Sequence, residues 1–255
     1  MPTLNSNLTD RFAPSKPSAA LHQKTLQHLL LACVLTIALY FVPYAGFVTY
    51  PIRLLVTFIH EGSHALVGLL TGALPFAMAI HADASGETYT RGQNVFVASA
   101  GYLGATLYGA LLIAALRRGV PGRALLYVTA AWVGIETLTL ILPALNAFGL
   151  LWGVLLCMGL VIAGRKLSPE IATWTAGFIG VQCILNALFD LRTLFDLSIA
   201  TRVATDAQNM AGMTWIPAPV WAGLWIVTAF GMLWLVLAPA FGVKNPLPRF
   251  QRVNR

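Results

Sequence analysis

Two histidines and an acid lie within five residues of one another, as His60-Glu61-Gly62-Ser63-His64, inside an apolar stretch of the chain. Residues four apart share one face of a helix, so His60 and His64 would project side by side. Two imidazoles at that spacing offer a divalent metal two of its ligands, and Glu61 could take a proton from water at the metal. The HExxH pattern therefore predicts a zinc site with hydrolytic chemistry.

The segment that carries this motif, residues 52–74, is long and apolar enough to be a membrane helix. About 20 apolar residues suffice to cross the hydrocarbon core of a bilayer. Ionisable side chains at membrane depth are costly and usually mark function. The position of the motif thus favours an active site within the membrane over a solvent-exposed pair of histidines.

A third metal ligand has to come from elsewhere, because a catalytic zinc usually has three protein ligands and an open position. The strongest candidate is Asp190, near the end of a later apolar run, and the second choice is Asp196. Asn186 lies four residues before Asp190 and would share its helical face as a supporting polar group. The alternative for both acids is an interfacial pair with Arg192 or a charge at a helix end.

The composition indicates an integral membrane protein. Of the 255 residues, 58% are hydrophobic and 10% are charged, and the mean hydropathy is +0.74. Soluble domains carry roughly 25% charged residues. The net charge of +7 comes from short connectors and tails, which favours contact with the lipid bilayer and argues against a nucleic-acid partner. The three cysteines lie in apolar runs and suggest neither a disulfide framework nor a zinc cluster.

Apolar runs of membrane-spanning length predict an all-α polytopic membrane protein with about seven transmembrane helices. The break between the fourth and fifth helices depends on Pro143 and Asn146 alone, and Pro43 and Pro51 bracket a turn between the first two. The predicted spans are 27–48, 52–74, 94–116, 124–143, 147–163, 171–195 and 217–241.

These spans divide the chain into three parts. Residues 1–26 are polar and predict a disordered tail. Residues 27–241 form the membrane-embedded domain, and residues 242–255 form a basic C-terminal tail.

A short β-hairpin is predicted directly after the motif helix. Residues 77–83 could run extended, residues 84–86 supply a turn, and residues 87–90 could return as a second strand. An edge strand at this point could pair with an extended substrate, whose helix must unwind before a peptide bond is cut. A plain loop is the alternative.

Small residues recur on one face of the third predicted span, at Gly101, Ala105 and Gly109. Such a stripe lets another helix approach closely. Plain helix packing explains it, and so does docking against the motif helix, in which case Gly101 would support the site.

Two further acids lie near apolar segments. Glu136 could belong to the site, pair with a basic group or stay protonated within its helix. Asp206 lies in a polar loop and could cap a short helix that starts at Ala207.

Together these segments resemble the site-2 protease family of intramembrane zinc metallopeptidases, in its compact branch without a PDZ domain. The resemblance covers most of residues 54–237. It is carried by the HExxH span, the Ser85-Gly86-Glu87-Thr88 hairpin, Ala100-Gly101-Tyr102-Leu103-Gly104, Leu185-Asn186-Ala187-Leu188-Phe189-Asp190-Leu191, Thr205-Asp206-Ala207, and Ile216-Pro217-Ala218-Pro219-Val220-Trp221.

The resemblance implies that His60 and His64 bind one zinc ion and that Glu61 activates water. In the family the third ligand is an aspartate in a sequence of the Asn-Pro-Leu-Asp-Gly type. Here Asn186 matches the asparagine, but the proline and the Asp-Gly pair are missing, so Asp190 and Asp196 both stay open. The implied activity is that of a zinc endopeptidase acting on membrane-spanning proteins, in the bacterial inner membrane.

Two other functions fit the same residues. A pseudoprotease would keep the fold and bind partner membrane helices, and a metal transporter would use His60 and His64 as part of its path. The intact Glu61 favours the protease. The basic loops at 117–123 and 165–166 place the hairpin outside the cytoplasm, whereas the resemblance places it inside, so the orientation stays open, as does the oligomeric state.

Overall fold

The computed structural model describes Val34, residues 45–200 and residues 205–238, which form a helical bundle with one small sheet. The predicted all-α membrane fold with a hairpin is confirmed. In chain order the elements are α1 (Ala45–Thr71), β1 (Leu74–Ile80), β2 (Gly86–Arg91), α2 (Val95–Arg117), α3 (Gly122–Glu136), a π-helical turn (Thr137–Ile141), α4 (Ala147–Lys166), α5 (Pro169–Ala200), α6 (Asp206–Thr214) and α7 (Ala218–Leu237).

Six helices in the described part of the chain are long and apolar enough to cross a membrane. They correspond to the second to seventh predicted spans. The first predicted span, 27–48, lies outside the described residues except for Val34 and residues 45–48, and the tails at 1–26 and 242–255 also lie outside them. The spans are Thr49–Thr71, Val95–Arg117, Gly122–Ile141, Ala147–Lys166, Pro169–Ala200 and Ala218–Leu235.

Helix α1 continues through the position where the sequence predicted a turn. Pro51 lies inside the helix, so residues 45–48 belong to the motif helix and the predicted break at Pro51 is wrong. Proline removes one backbone hydrogen bond from a helix but does not always end it. The helix is secured by burial on its inner face, where Leu54, Phe58 and Ile59 are fully buried.

The predicted hairpin is confirmed, and it folds back along α1. Strands β1 and β2 pair antiparallel, with Met78 opposite Thr88 and Ile80 opposite Gly86. The Tyr50 hydroxyl donates to the Ala82 carbonyl over 2.6 Å, so the tip of the hairpin lies beside the first half of α1. Strand β2 therefore passes the middle of α1, where the motif lies.

The connection between α3 and α4 confirms the predicted break near Asn146. This residue is the N-cap of α4, and its side-chain oxygen accepts from the backbone N–H of Gly149 over 2.7 Å. The same oxygen accepts from the backbone N–H of Ile80 over 3.2 Å. The Asn146 side chain thus caps the N-terminus of α4 and also binds the outer edge of β1.

Helix α2 packs between α1 and α5 along the small-residue stripe predicted from the sequence. A side chain at Gly109 would collide with the carbonyl oxygen of Gly180 in α5, so the two backbones are in close contact there. Ala105 is also buried. Close approach of backbones is what small residues permit in membrane bundles.

The apolar interior has a separate cluster around α6 and α7. It joins the end of α5 to α6, α7 and the beginning of α2, through residues such as Leu191, Leu194, Met210 and Trp225. The short helix α6 is fixed by this cluster. The larger core, by contrast, contains α1, β1 and α2 to α5. Any site between α1 and α6 therefore depends on how these two clusters meet.

Candidate metal centre and active site

The two motif histidines converge as the helical spacing predicts. Their Nε2 atoms lie 3.1 Å apart, and the ring centroids are separated by 4.9 Å. The side chain of His64 is 9% exposed and that of His60 is 17% exposed. Two ring nitrogens this close, and this well shielded, can be directed at one shared ion.

Each ring is held by a contact on its far side. His64 Nδ1 lies 2.6 Å from the carbonyl oxygen of Val97, to which an Nδ1–H would donate. That hydrogen bond leaves the lone pair of His64 on Nε2, the atom that faces His60. The ring of Tyr102 packs edge-on against His60 with centroids 4.6 Å apart. The imidazoles are thus oriented by α2.

The carboxylate that meets both rings belongs to Asp206. Its Oδ2 atom lies 3.4 Å from His64 Nε2 and 3.6 Å from His60 Nε2. Ligand atoms of the three residues all lie within 4.8 Å of one another. Burial alone would raise the pKa of the Asp206 carboxyl, but the adjacent His64 and His60 outweigh it and lower that pKa.

Asp206 is available because its neighbour caps the helix. The Thr205 hydroxyl accepts from the backbone N–H of Gln208, so Thr205 is the N-cap of α6. The sequence-based assignment of the cap to Asp206 is therefore wrong by one residue. Because Thr205 satisfies the helix end, the Asp206 side chain is free to approach the histidines.

The predicted third acids lie elsewhere. Asp190 lines an adjacent cavity of about 310 Å³, together with Arg53 and His60, but it is outside the close group formed by Asp206 and the histidines. Asp196 is exposed and is also outside that group. The geometry therefore favours Asp206 over Asp190 and Asp196 as a third ligand.

Helical periodicity within α5 favours Asp190, because Asn186 lies four residues before it. Asn186 and Asp190 do lie on one helix, but the Asn186 amide donates to the backbone and side-chain oxygens of Gln182 in the preceding turn, at 2.9 and 3.1 Å. Its side chain is therefore engaged within α5. The sequence signal for Asp206 was the Thr205-Asp206 pair at a helix start, where the first residue caps and the second is left free.

Gly101 provides the space that the two rings occupy. A Cβ atom there would collide with Nε2 and Cε1 of His60 and with Nε2 of His64. The backbone of α2 thus lies directly against the atoms that would bind a metal. The predicted supporting role of Gly101 acquires a physical basis, since only glycine leaves room for both imidazoles.

Glu61 is buried on the same side of α1, beside strand β2. It is 5% exposed, and its Oε2 atom accepts from the Thr88 hydroxyl over 2.7 Å. A Cβ atom at Gly86 would lie 2.7 Å from Cγ of Glu61, so β2 packs closely on this side chain. The hairpin therefore fixes the acid next to the histidines.

A cavity of about 520 Å³ opens in front of these residues. Strand β2 lines one side of it, and in the described part of the chain β2 pairs only with β1. An extended peptide could occupy this cavity with its backbone along β2. Besides β2, its walls include His60, Glu61, His64, Tyr102, Asp206 and Asn209.

The donor set fits a catalytic zinc ion. Two imidazole nitrogens and one carboxylate oxygen are a common combination of protein ligands for that metal. His64 has its second nitrogen engaged by a carbonyl, as metal-binding histidines usually do. His60, His64 and Asp206 are the residues that could hold the ion.

Comparison with known proteins places the chain in one family. The profile of the family described as Peptidase M50B-like matches residues 30–236. The matched region contains the two histidines, Glu61 and Asp206. No curated protein and no solved structure matches the chain. With its profile match extending over most of the chain, this integral membrane protein belongs to the Peptidase M50B-like family, that is, to the site-2 protease family.

Proposed function

We propose that the chain is an intramembrane zinc metalloprotease that hydrolyses peptide bonds of membrane-spanning proteins. One observation carries the proposal: His60, His64 and Asp206 converge within 4.8 Å beside the buried acid Glu61, at the wall of a cavity that an edge strand lines. Family membership supports a peptidase. The helices long enough to cross a membrane support a substrate within the bilayer.

In this mechanism His60, His64 and Asp206 hold the ion. Zinc, when bound, acts as a Lewis acid that polarises the scissile carbonyl and makes water a nucleophile near neutral pH. Glu61 accepts the proton that the attacking water gives up and passes it to the leaving amine. The Thr88 hydroxyl donates to the Glu61 carboxylate and so holds it in place for both transfers.

Strand β2 orients the substrate. A helical peptide bond is shielded by its own hydrogen bonds, so a membrane-spanning helix has to unwind before cleavage. Backbone groups on the free edge of β2 can form hydrogen bonds with the unwound segment, and these replace the ones lost from its helix. Because Gly86 and Thr88 contact Glu61, a peptide paired with β2 lies next to the acid.

The test separates metal binding from cleavage. The wild type, Glu61→Gln and the His60→Ala/His64→Ala double variant are purified in detergent, and zinc per chain is measured by mass spectrometry of the metal. We expect one zinc in the wild type and in Glu61→Gln, and none in the double variant. A double variant that keeps its zinc contradicts the assignment of the site.

Cleavage is then measured in cells that express each form. New protein termini in the membrane fraction are identified by mass spectrometry, with Glu170→Gln as a control because Glu170 is exposed at the start of α5. We expect a set of termini that depends on the wild type or Glu170→Gln and disappears with Glu61→Gln. Bound zinc with identical termini in the wild type and Glu61→Gln would identify a pseudoprotease and reject the proposal.

A further inference from the structure

Glu136 and Trp132 of α3 carry buried polar groups that the peptidase site does not use. Glu136 is 5% exposed, and neither of its carboxyl oxygens has a hydrogen-bond partner among the described residues. The indole N–H of Trp132 has none of standard geometry in that part of the chain either, although it lies close enough to the Glu136 carboxyl to interact with it. An unpaired polar group in an apolar interior costs roughly 1–3 kcal/mol. A ligand that accepts from the indole and donates to the carboxyl would satisfy both groups.

Both groups converge on Gly62, on the side of α1 away from the histidines. A Cβ atom at Gly62 would collide with Glu136 Oε1 and would lie 2.7 Å from Trp132 Nε1. Gly62 is two residues beyond His60, which is a rotation of about 200° around the helix. The Glu136–Trp132 pair is therefore separated from the metal centre by the thickness of α1.

The pair faces a cavity of about 470 Å³ between α1 and the end of α3. Small-molecule sites have volumes of about 300–1,000 Å³. The rest of its wall is mostly apolar and contains Ala65, Leu66, Leu69, Pro75, Ile135 and Leu140. Ile135 is 62% exposed and Leu69 is 57% exposed, so the cavity opens on an outer face of the bundle that is apolar enough to meet lipid.

The polar groups of the cavity define the ligand. Its lining contains no Lys, Arg or His, and the hydroxyl of its third polar residue, Thr139, already donates to the Ile135 carbonyl. What is left is one donor, the Trp132 N–H, and the acceptor oxygens of Glu136. A carboxamide matches both, since its N–H donates to Glu136 and its carbonyl accepts from Trp132. A protonated Glu136 would add an O–H donor, and its other oxygen would still accept from the amide N–H.

A local irregularity of the helix supports a binding role. Glu136 immediately precedes the π-helical turn Thr137–Ile141, which also carries Thr139 and Leu140 of the cavity wall. Single π-helical turns within α-helices occur frequently at functional sites.

We propose that this cavity, lined by Gly62, Trp132 and Glu136, binds a small apolar molecule that carries a carboxamide, entering from the lipid. The amide pairs with Glu136 and Trp132, and the hydrocarbon part packs on Leu66, Leu69 and Ile135. This proposal is independent of peptidase activity, because none of these side chains lies in the metal centre.

The test is equilibrium binding of radiolabelled dodecanamide to the purified full chain in detergent, with excess unlabelled amide defining the saturable part. We expect one saturable site per chain. Glu136→Leu and Trp132→Phe should each weaken binding at least tenfold. Methyl dodecanoate, which has the carbonyl but no N–H donor, should compete at least tenfold less well than dodecanamide.

Matched controls are available elsewhere in the chain. Glu170→Leu and Trp174→Phe make the same changes at α5, away from the cavity, and should bind the amide like the wild type. Should Glu136→Leu fail to fold, Trp132→Phe and the ester competition still decide the result. Absence of saturable binding to the wild type, or unchanged affinity in the folded cavity variants, overturns the proposal.

Discussion

Replacing Gly101 by alanine should disable the metal centre while leaving the fold intact. The added methyl group would occupy the space of His60 Nε2 and His64 Nε2, whose present separation is 3.1 Å. The backbone of α2 cannot retreat easily, because the same helix packs through Gly109 directly on the Gly180 carbonyl of α5. The two imidazole rings must therefore rotate, so that their Nε2 atoms no longer point at one shared metal position.

The size of the effect follows from the cost of overpacking. Forcing one extra carbon into a packed interior costs about 1–3 kcal/mol. When no metal is bound, the histidines can move and relieve this strain. The strain then appears only in the metal-bound protein, so it weakens metal binding. At 1.4 kcal/mol per factor of ten, zinc affinity should drop by about 5- to 150-fold. The helix itself favours alanine over glycine by about 1 kcal/mol, so the metal-free protein should not lose stability.

The assay is competition for zinc against a chelator of known affinity, together with thermal unfolding of the metal-free protein. Gly159→Ala is the matched control, because a Cβ atom at Gly159 in α4 would meet nothing within 4 Å. It should leave zinc affinity unchanged within twofold. Zinc binding by Gly101→Ala as tight as that of the wild type, or equal weakening by Gly159→Ala, would show that Gly101 does not make room for the metal-binding rings.

Three further changes test individual contacts. Asp206→Asn should lower zinc affinity at least tenfold and Asp190→Asn should leave it unchanged, measured by the same chelator competition; the reverse order would restore Asp190 as the ligand. Thr88→Val removes a hydrogen bond to a buried carboxylate, worth about 1.5–3 kcal/mol, and should lower kcat/KM about tenfold or more, whereas Thr88→Ser, which keeps the hydroxyl, should stay near wild type. Asn146→Ala removes the cap of α4 and the partner of the Ile80 N–H, and should lower the unfolding free energy by about 1–2 kcal/mol in thermal denaturation; no change would show that this amide does not hold β1.

The sequence predicted the structure best where a single local rule relates residues that are close together in the chain. The four-residue spacing of His60 and His64 fixes their relative position on any helix, and that position is what the structure has. The hairpin was also predictable, since the Ala84-Ser85-Gly86 turn separates two extended segments. Pro51 was misleading because the burial of its helix outweighs the loss of one hydrogen bond.

The acid that lies nearest to both histidines could not be chosen in this way, because it comes from a different part of the fold. Asp190 was favoured by its neighbour Asn186, but a shared helical face says nothing about which other helix that face meets. Asp206 reaches the histidines because α6 is packed between the end of α5, α7 and the first turns of α2. That arrangement depends on tertiary contacts among residues far apart in the chain.

Glycines from several elements explain how polar side chains are kept from lipid in so apolar a bundle. Gly101 of α2 lies against the two histidines, Gly86 of β2 lies against Glu61, and Gly104 of α2 lies against Ser63. In each case backbone, instead of a larger side chain, covers a polar residue of the motif. The small residues of α2 therefore do more than allow helices to pack, since substitution at Gly101 would take space from the motif itself. The HExxH pattern identifies the reactive groups, and these glycines determine whether a membrane helix can carry them.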